Sequence, residues 1–115
     1  MLSLKYLAVL PFLIKFGAAA NCYSLDSSRI YNSAATTALN NLSWNGGNRR
    51  CVYTGSCKAC YRTSGQPARF NEAKGNIQDQ CLAGSKTYGQ GYWEADGLRV
   101  CFDCVNSGNC NDTSM

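Results

Sequence analysis

The sequence predicts an α+β domain in which one helix packs on a small antiparallel β-sheet, with four disulfides as staples. A row of apolar residues at helical spacing predicts the helix, and an Asp-Gly turn between two alternating segments predicts a hairpin. Eight cysteines in 115 residues predict the disulfides. The length fits a single domain, which we place at residues 21–115 after a leader at residues 1–20.

The first twenty residues have the parts of a secretory signal peptide. Lys5 gives a positive start, Tyr6–Ile14 form a nine-residue apolar run, and Ala18–Ala20 fit a cleavage site of small residues. A membrane anchor is the alternative, but a span needs about 20 apolar residues. We therefore expect a secreted, extracellular protein with no membrane span.

All eight cysteines follow this leader, in a compartment where thiols oxidise. Their even number predicts that none is left free, but about a hundred pairings are possible and the sequence does not choose among them. The chain is poor in large aliphatic residues, so we expect full reduction to unfold it. The predicted disulfide cysteines are Cys22, Cys51, Cys57, Cys60, Cys81, Cys101, Cys104 and Cys110.

The predicted helix covers Ser27–Leu42, with Asp26 as its cap, because an aspartate side chain accepts the unpaired amide hydrogens of a first turn. Apolar residues recur every four positions along this segment and form one face. That face is made largely of alanine, which predicts close packing against its neighbour. Its members are Ile30, Ala34, Ala38 and Leu42, with Ala35 and Leu39 beside them.

Two strands are predicted in the middle of the chain, at Arg49–Gly55 and Cys57–Thr63. A turn at Ser64–Pro67 follows them. The segment Asn71–Gln80 is polar and favours neither helix nor strand, and the glycine-rich segment Ser85–Gly91 is predicted to be a loop.

The pair Asp96–Gly97 predicts a two-residue hairpin turn, in which both residues need positive φ. The turn fixes the register, so that Trp93 lies opposite Val100 and Glu94 lies opposite Arg99. An aromatic/β-branched pair and an opposite-charge pair each stabilise such a ladder by about 0.2–1 kcal/mol. Alternation then places Trp93 and Val100 on one face of the sheet and Glu94 and Arg99 on the other.

Two C-x-x-C pairs, Cys57/Cys60 and Cys101/Cys104, raise the question of a metal or redox site. The pairs of a zinc ribbon are usually about 15–20 residues apart, whereas these are separated by 40 residues. A redox motif needs a helix N-terminus, and both pairs lie in strand-like sequence. We therefore predict structural disulfides, no metal and no cofactor.

The charged and catalytic residue types argue against two classes of function. The net charge of +4 falls to +2 once Lys5 and Lys15 leave with the leader, which is too weak to predict a nucleic-acid partner. The chain has no histidine, which excludes Ser-His-Asp and Cys-His catalysis. Glu72 and Asp79 have no evident structural role, but they do not suffice to predict a glycosidase. We predict no catalytic residues and a non-enzymatic protein.

Aromatic and basic residues could together form a binding surface, since tyrosine, tryptophan and arginine are enriched where proteins recognise partners. The alternative is that the aromatic rings fill the core of a chain poor in aliphatic residues. The candidate binding residues are Arg49, Arg50, Tyr53, Tyr61, Arg62, Tyr92 and Trp93.

Two processing signals fit an exported protein. Asn41 and Asn111 each begin an N-glycosylation sequon. The dibasic pair Arg49–Arg50 could be cut by a kexin-type protease, although a charged strand end is the favoured interpretation.

The arrangement of signal peptide, fewer than 100 mature residues and eight cysteines resembles small secreted cysteine-rich proteins of fungi. Many of these are candidate effectors released into plant tissue, and others are killer toxins or antifungal proteins. The resemblance implies a monomer that binds a host extracellular protein or a cell-wall component to promote colonisation or modulate host immunity. A killer or antimicrobial toxin acting on competing microbes is the alternative.

A second resemblance covers about twenty residues. The N-terminal part of the mature chain is similar to that of fungal guanyl-specific ribonucleases. The similar residues are Asn21–Ser24, then Ser28–Ile30 and an alanine-rich helix. The catalysis of that family depends on histidines, which this chain lacks. The resemblance therefore implies a ribonuclease-like effector without catalytic activity.

Overall fold

The computed structural model describes residues 19–24, 32–84, 88–104 and 110. Two α-helices and five strands lie in this part of the chain. In chain order they are β1 (Asn21–Ser24), α1 (Asn32–Asn41), β2 (Arg49–Thr54), β3 (Cys57–Thr63), α2 (Phe70–Ile77), a π-helical turn (Gln78–Leu82), β4 (Tyr88–Ala95) and β5 (Leu98–Asp103).

The strands form one antiparallel sheet with the order β1-β4-β5-β3-β2, on which the helices pack. The predicted α+β class with four disulfides is confirmed. The predicted hairpin is confirmed too, since Trp93 faces Val100 and Glu94 faces Arg99. Its turn has φ of 53° at Asp96 and 77° at Gly97, as an Asp-Gly turn of this kind requires.

The main helix α1 agrees with the prediction from Asn32 onward, while Asp26 and residues 27–31 lie outside the described residues. Ala35, Ala38 and Leu39 point into the core and are buried. Small alanine side chains let the helix lie close to β2 and β3, as its alanine-rich face predicts.

Two segments differ from the prediction. The polar segment Asn71–Gln80 lies in a second helix and the π-helical turn, and α2 buries Phe70, Ala73 and Ile77 at helical spacing. Tyr88–Gly91 are not a loop but the start of β4, and residues 85–87 lie outside the described residues. These residues are a strand and not a loop because β1 pairs with them. The sequence did not predict this pairing.

Alternation along the strands divides the sheet into two faces. The inner face carries Tyr61, Trp93, Val100 and Phe102, which form the core with both helices. The outer face carries a separate buried cluster of cysteines with Tyr92 beside it. Neither helix contributes a residue to this second cluster.

Each cysteine in the chain is paired, and none is free. Cys22–Cys81 joins β1 to the π-helical turn, and Cys57–Cys104 joins the start of β3 to the residue after β5. Cys51–Cys60 and Cys101–Cys110 lie on the outer face. No helix in the described part of the chain is long and apolar enough to cross a membrane.

Candidate functional site

The outer face is built from three cross-strand rows, each set by the register of the sheet. Its central row holds three disulfide cysteines, Cys51, Cys60 and Cys101, on three neighbouring strands. One flanking row is mainly cationic, and the other carries tyrosines at both edges. The rows are Arg49, Arg62, Arg99 and Glu94; then Cys51, Cys60, Cys101, Tyr92 and Asn21; then Tyr53, Lys58, Asp103, Gln90 and Tyr23.

A pocket of about 280 Å³ opens on this face where β1, β4 and β5 meet. Tyrosine rings and a guanidinium group provide its side walls, and the Cys101–Cys110 disulfide lies against it. The volume approaches the lower end of the usual range for small-molecule sites, which also suits one or two side chains of a partner protein. The lining residues are Tyr23, Gln90, Gly91, Tyr92, Arg99, Cys101, Phe102 and Cys110.

Three of these residues form a stack. The rings of Tyr23 and Tyr92 lie nearly parallel, with centroids 6.2 Å apart, and the guanidinium carbon of Arg99 lies 4.1 Å from the centroid of the Tyr92 ring. A hydrogen bond with Tyr92 raises the pKa of the Tyr23 phenol above its ordinary value. The stack therefore presents two aromatic rings with a guanidinium group over one of them, the geometry of a cation–π contact.

The cationic row is organised around one carboxylate. Glu94 accepts a hydrogen bond from Arg62 at 3.5 Å, and its other oxygen lies 3.7 Å from Arg99. Arg49 lies opposite Arg62 in the same row. Within the described residues, this row therefore holds three guanidinium groups and one carboxylate.

The structure brings four of the seven predicted binding residues onto the outer face. Tyr92 lines the pocket, and Arg62 and Arg49 belong to the cationic row. Tyr53 belongs to the same face at the far edge and is 68% exposed.

The other three predicted binding residues serve the fold instead. Tyr61 and Trp93 are both 0% exposed, because strand alternation points them toward the helices. Arg50 also alternates away from the outer face and donates two hydrogen bonds to Ser43, both at 2.9 Å. As the alternative interpretation held, part of the aromatic content fills the core.

Sequence reasoning missed Tyr23, Gln90 and Cys110 as members of the pocket. Tyr23 and Gln90 come together through the β1–β4 pairing, which a four-residue strand signals only weakly. The hairpin register already placed Arg99 beside Tyr92, so that contact could have been found.

The remaining candidates are dispersed. Glu72 accepts two hydrogen bonds from Arg69, at 2.9 and 2.6 Å, and so helps to join α2 to the hairpin turn. Asp79 is the second residue of the π-helical turn, whereas Glu72 lies in α2. Asn41 is exposed at the end of α1, and Asn111 lies outside the described residues. The pair Arg49–Arg50 begins β2.

Fold and crosslinks together define a small disulfide-rich α+β domain of the extracellular type, with a pocket on the face of its sheet opposite α1 and α2. No family model matches the sequence, and no curated protein matches it. Among solved structures, the chain is similar to the crystal structure of the tandem DUF26 ectodomain from the Arabidopsis thaliana cysteine-rich receptor-like protein PDLP5.

That similarity concerns the fold. The TM-score is 0.59 and the sequence identity is 15%, with 73% of this chain covered. The chain spans 42% of the length of the PDLP5 structure. A fold shared with an ectodomain agrees with the extracellular type that the four disulfides indicate.

Proposed function

We propose that this chain is a secreted, non-catalytic binding protein of the effector type, which acts on a host extracellular protein. The pocket between Tyr23, Tyr92 and Arg99 carries the proposal. It combines aromatic rings and a guanidinium group on a face held rigid by disulfides, and such residues dominate the binding energy of many interfaces. Its rigidity lowers the entropic cost of binding.

The charge of the outer face supports an acidic partner segment. Four cationic residues have register positions on this face: Arg49, Lys58, Arg62 and Arg99. Among the described residues, the same face carries two acidic ones, Glu94 and Asp103, and Asp103 is only 1% exposed. A carboxylate of the partner would meet the cationic row, while an adjacent flat or apolar group would enter the pocket beside Tyr92.

The test is capture from plant extracellular fluid with the oxidised mature protein, compared with Tyr23→Ala and Arg99→Gln. Arg50→Gln is the matched control, because Arg50 is an arginine of the distant edge strand β2 whose guanidinium bonds to Ser43. We expect specific proteins to be retained by the unmodified chain and the control and lost with both pocket variants. Retention should weaken as salt increases, because charge contributes to it.

Two results would contradict this proposal. Pocket-dependent retention of polygalacturonate, with no protein retained, would make the partner an acidic cell-wall polysaccharide. Growth inhibition of fungi or bacteria by the oxidised protein, unaffected by Arg99→Gln, would favour a toxin that does not use this pocket.

A further inference from the structure

The central row of the outer face brings sulfur atoms of two different disulfides together. The Sγ atoms of Cys60, Cys101 and Cys110 all lie within 4.8 Å of one another, although Cys60 is bonded to Cys51. These three residues are at most 1% exposed. Cys51 is partly exposed and lies on β2, the last strand of the sheet.

The backbone would accept a different disulfide at this place. Cys60 and Cys101 are direct register partners across β3 and β5. The amide hydrogen of Cys104 bonds to the carbonyl of Gly89, so by alternation the backbone groups of Cys101 point toward β3. Such hydrogen-bonded pairs have Cα atoms about 5.5 Å apart, within the roughly 4.4–6.8 Å that a disulfide spans. Their Cβ atoms are also about 5.5 Å apart, so β3 and β5 must approach by about 1 Å to reach the Cβ spacing of a disulfide.

We propose that Cys51 is a modification site for small thiols such as glutathione, and that its modification transfers the outer-face crosslink from Cys101–Cys110 to Cys60–Cys101. A thiolate of the small thiol attacks the Cys51 sulfur and forms a mixed disulfide there, which expels the Cys60 thiolate. The Cys60 thiolate attacks the Cys101 sulfur and forms the Cys60–Cys101 bond. Cys110 leaves as a thiolate and takes a proton from water.

This exchange balances without an added oxidant. One thiol is consumed and one is released, and the number of disulfides on the face, counting the mixed one, stays at two. Proximity favours the second step, because the Cys60 sulfur lies within 4.8 Å of the sulfurs of both Cys101 and Cys110.

The exchange also affects the proposed binding site. Cys110 lines the pocket and is held there by Cys101, so its release removes one part of the wall. The effect on binding rests on the proposed function. The exchange itself does not rest on the proposed function, because it follows from the positions of the disulfides alone.

The experiment treats the folded, oxidised mature protein with millimolar reduced glutathione and then alkylates free thiols under acid quench. Peptide mapping without reduction is expected to find glutathione on Cys51, a Cys60–Cys101 crosslink and an alkylated Cys110. Cys22–Cys81 is an internal comparison, because Cys22 is partly exposed but belongs to a disulfide outside the sulfur cluster. At this disulfide, attack by glutathione should leave glutathione on Cys22 and an alkylated Cys81, with no new crosslink.

Two variants test the two steps of the exchange separately. Cys51→Ser leaves Cys60 as a thiol beside Cys101 and should give the Cys60–Cys101 crosslink and a free Cys110 without added glutathione. The double variant Cys51→Ser/Cys60→Ser removes the route, so alkylation of Cys110 in glutathione should fall about tenfold or more, since only direct attack on a buried disulfide is left.

Three results would overturn the proposal: an alkylated Cys60 with Cys101–Cys110 intact, simultaneous loss of all four disulfides, or a Cys51→Ser protein that keeps Cys101–Cys110. If mapping shows the exchange while neither form retains a partner, the proposed function fails and the modification site stands.

Discussion

Cys60 and Cys101 face each other across β3 and β5, yet each forms its disulfide with a different cysteine. Cys60 is tied to the edge strand through Cys51, and Cys101 is tied to Cys110 beyond the end of β5. The two crosslinks therefore lie side by side in the row that also carries Tyr92. Helices order the inner face by packing, whereas covalent bonds order the face with the pocket.

Replacing Tyr61 with Phe should lower the free energy of unfolding by about 1–2 kcal/mol, the usual cost of losing a buried hydrogen bond. The Tyr61 hydroxyl lies 2.8 Å from Asn45 Oδ1 and 3.1 Å from the Gly47 carbonyl oxygen, and accepts from the Asn45 amide at 3.3 Å. It thereby fastens the loop before β2 to the core.

Urea denaturation measures this effect, and Tyr53→Phe is the control because Tyr53 is exposed on the neighbouring strand. The control should change the free energy of unfolding by no more than about 0.5 kcal/mol. Equal losses in the two variants would show that the hydroxyl of Tyr61 has no special role.

Replacing Gly91 with Ala should destabilise the fold by about 1–3 kcal/mol through overpacking. A Cβ at Gly91 would lie 2.9 Å from a Phe102 ring carbon, 3.0 Å from the Asn21 carbonyl oxygen and 3.0 Å from the sulfur of Cys81. Backbone, a buried ring and a disulfide leave little room for adjustment.

Gly65→Ala provides the comparison, because a Cβ there would meet nothing within 4 Å. We expect that variant to unfold at an equal or slightly higher temperature, since alanine restricts the unfolded chain more than glycine does. A Gly91→Ala protein as stable as Gly65→Ala would contradict the close approach of β1, β4 and the π-helical turn.

Replacing Arg69 with Ala should lower the midpoint of urea unfolding more than Arg62→Ala does. Arg69 donates to both oxygens of Glu72, and to Asp96 at 2.7 Å, and its guanidinium carbon lies 5.0 Å from the Trp93 ring centroid. These carboxylates raise the pKa of the Arg69 guanidinium, led by the hydrogen bond to Glu72.

The conservative variant Arg69→Lys should fall between the two alanine variants, because lysine keeps the charge but not the planar fork that holds Glu72. Arg62 has a single ion pair at 3.5 Å and serves as the comparison. If all three variants unfold at the same urea concentration, the junction between α2 and the hairpin turn does not depend on Arg69.

The hairpin could be predicted from sequence because its information is local. The turn residues at Asp96–Gly97, the alternation and the cross-strand pairs all agree, and each lies within a dozen residues. The main helix was predictable from its repeated alanines for the same reason. The second helix was not, because Phe70, Ala73 and Ile77 are its main apolar contacts in a polar segment, and tertiary packing decides its conformation.

The candidate site was only partly predictable, because it depends on pairs far apart in the chain. Tyr92 and Arg99 belong to one hairpin, whereas Tyr23 reaches them through a strand about seventy residues earlier. Trp93 illustrates the opposite error. Composition suggested a binding residue, but its position in the alternation places it under the helices.

Tyr23 should lose its phenolic proton at a higher pH than an ordinary tyrosine, whose pKa is 10.0. The hydrogen bond with Tyr92 is the largest cause, burial adds to it, and the positive charge of Arg99 acts in the opposite direction. Since the pKa is higher in the folded state, the stabilisation from this contact is fully present below pH 10 and is lost as the pH rises through the raised value.

Ultraviolet titration of tyrosinate measures this pKa as the difference between the unmodified protein and Tyr23→Phe. Tyr92→Phe should return the Tyr23 pKa toward 10.0 because it removes the hydrogen bond. Arg99→Gln should raise the pKa further because it removes the favourable charge. These shifts of opposite sign separate a specific stack from general burial, which would make both variants shift the same way. A Tyr23 pKa that is the same in both variants as in the unmodified protein would show that the stack does not form in solution.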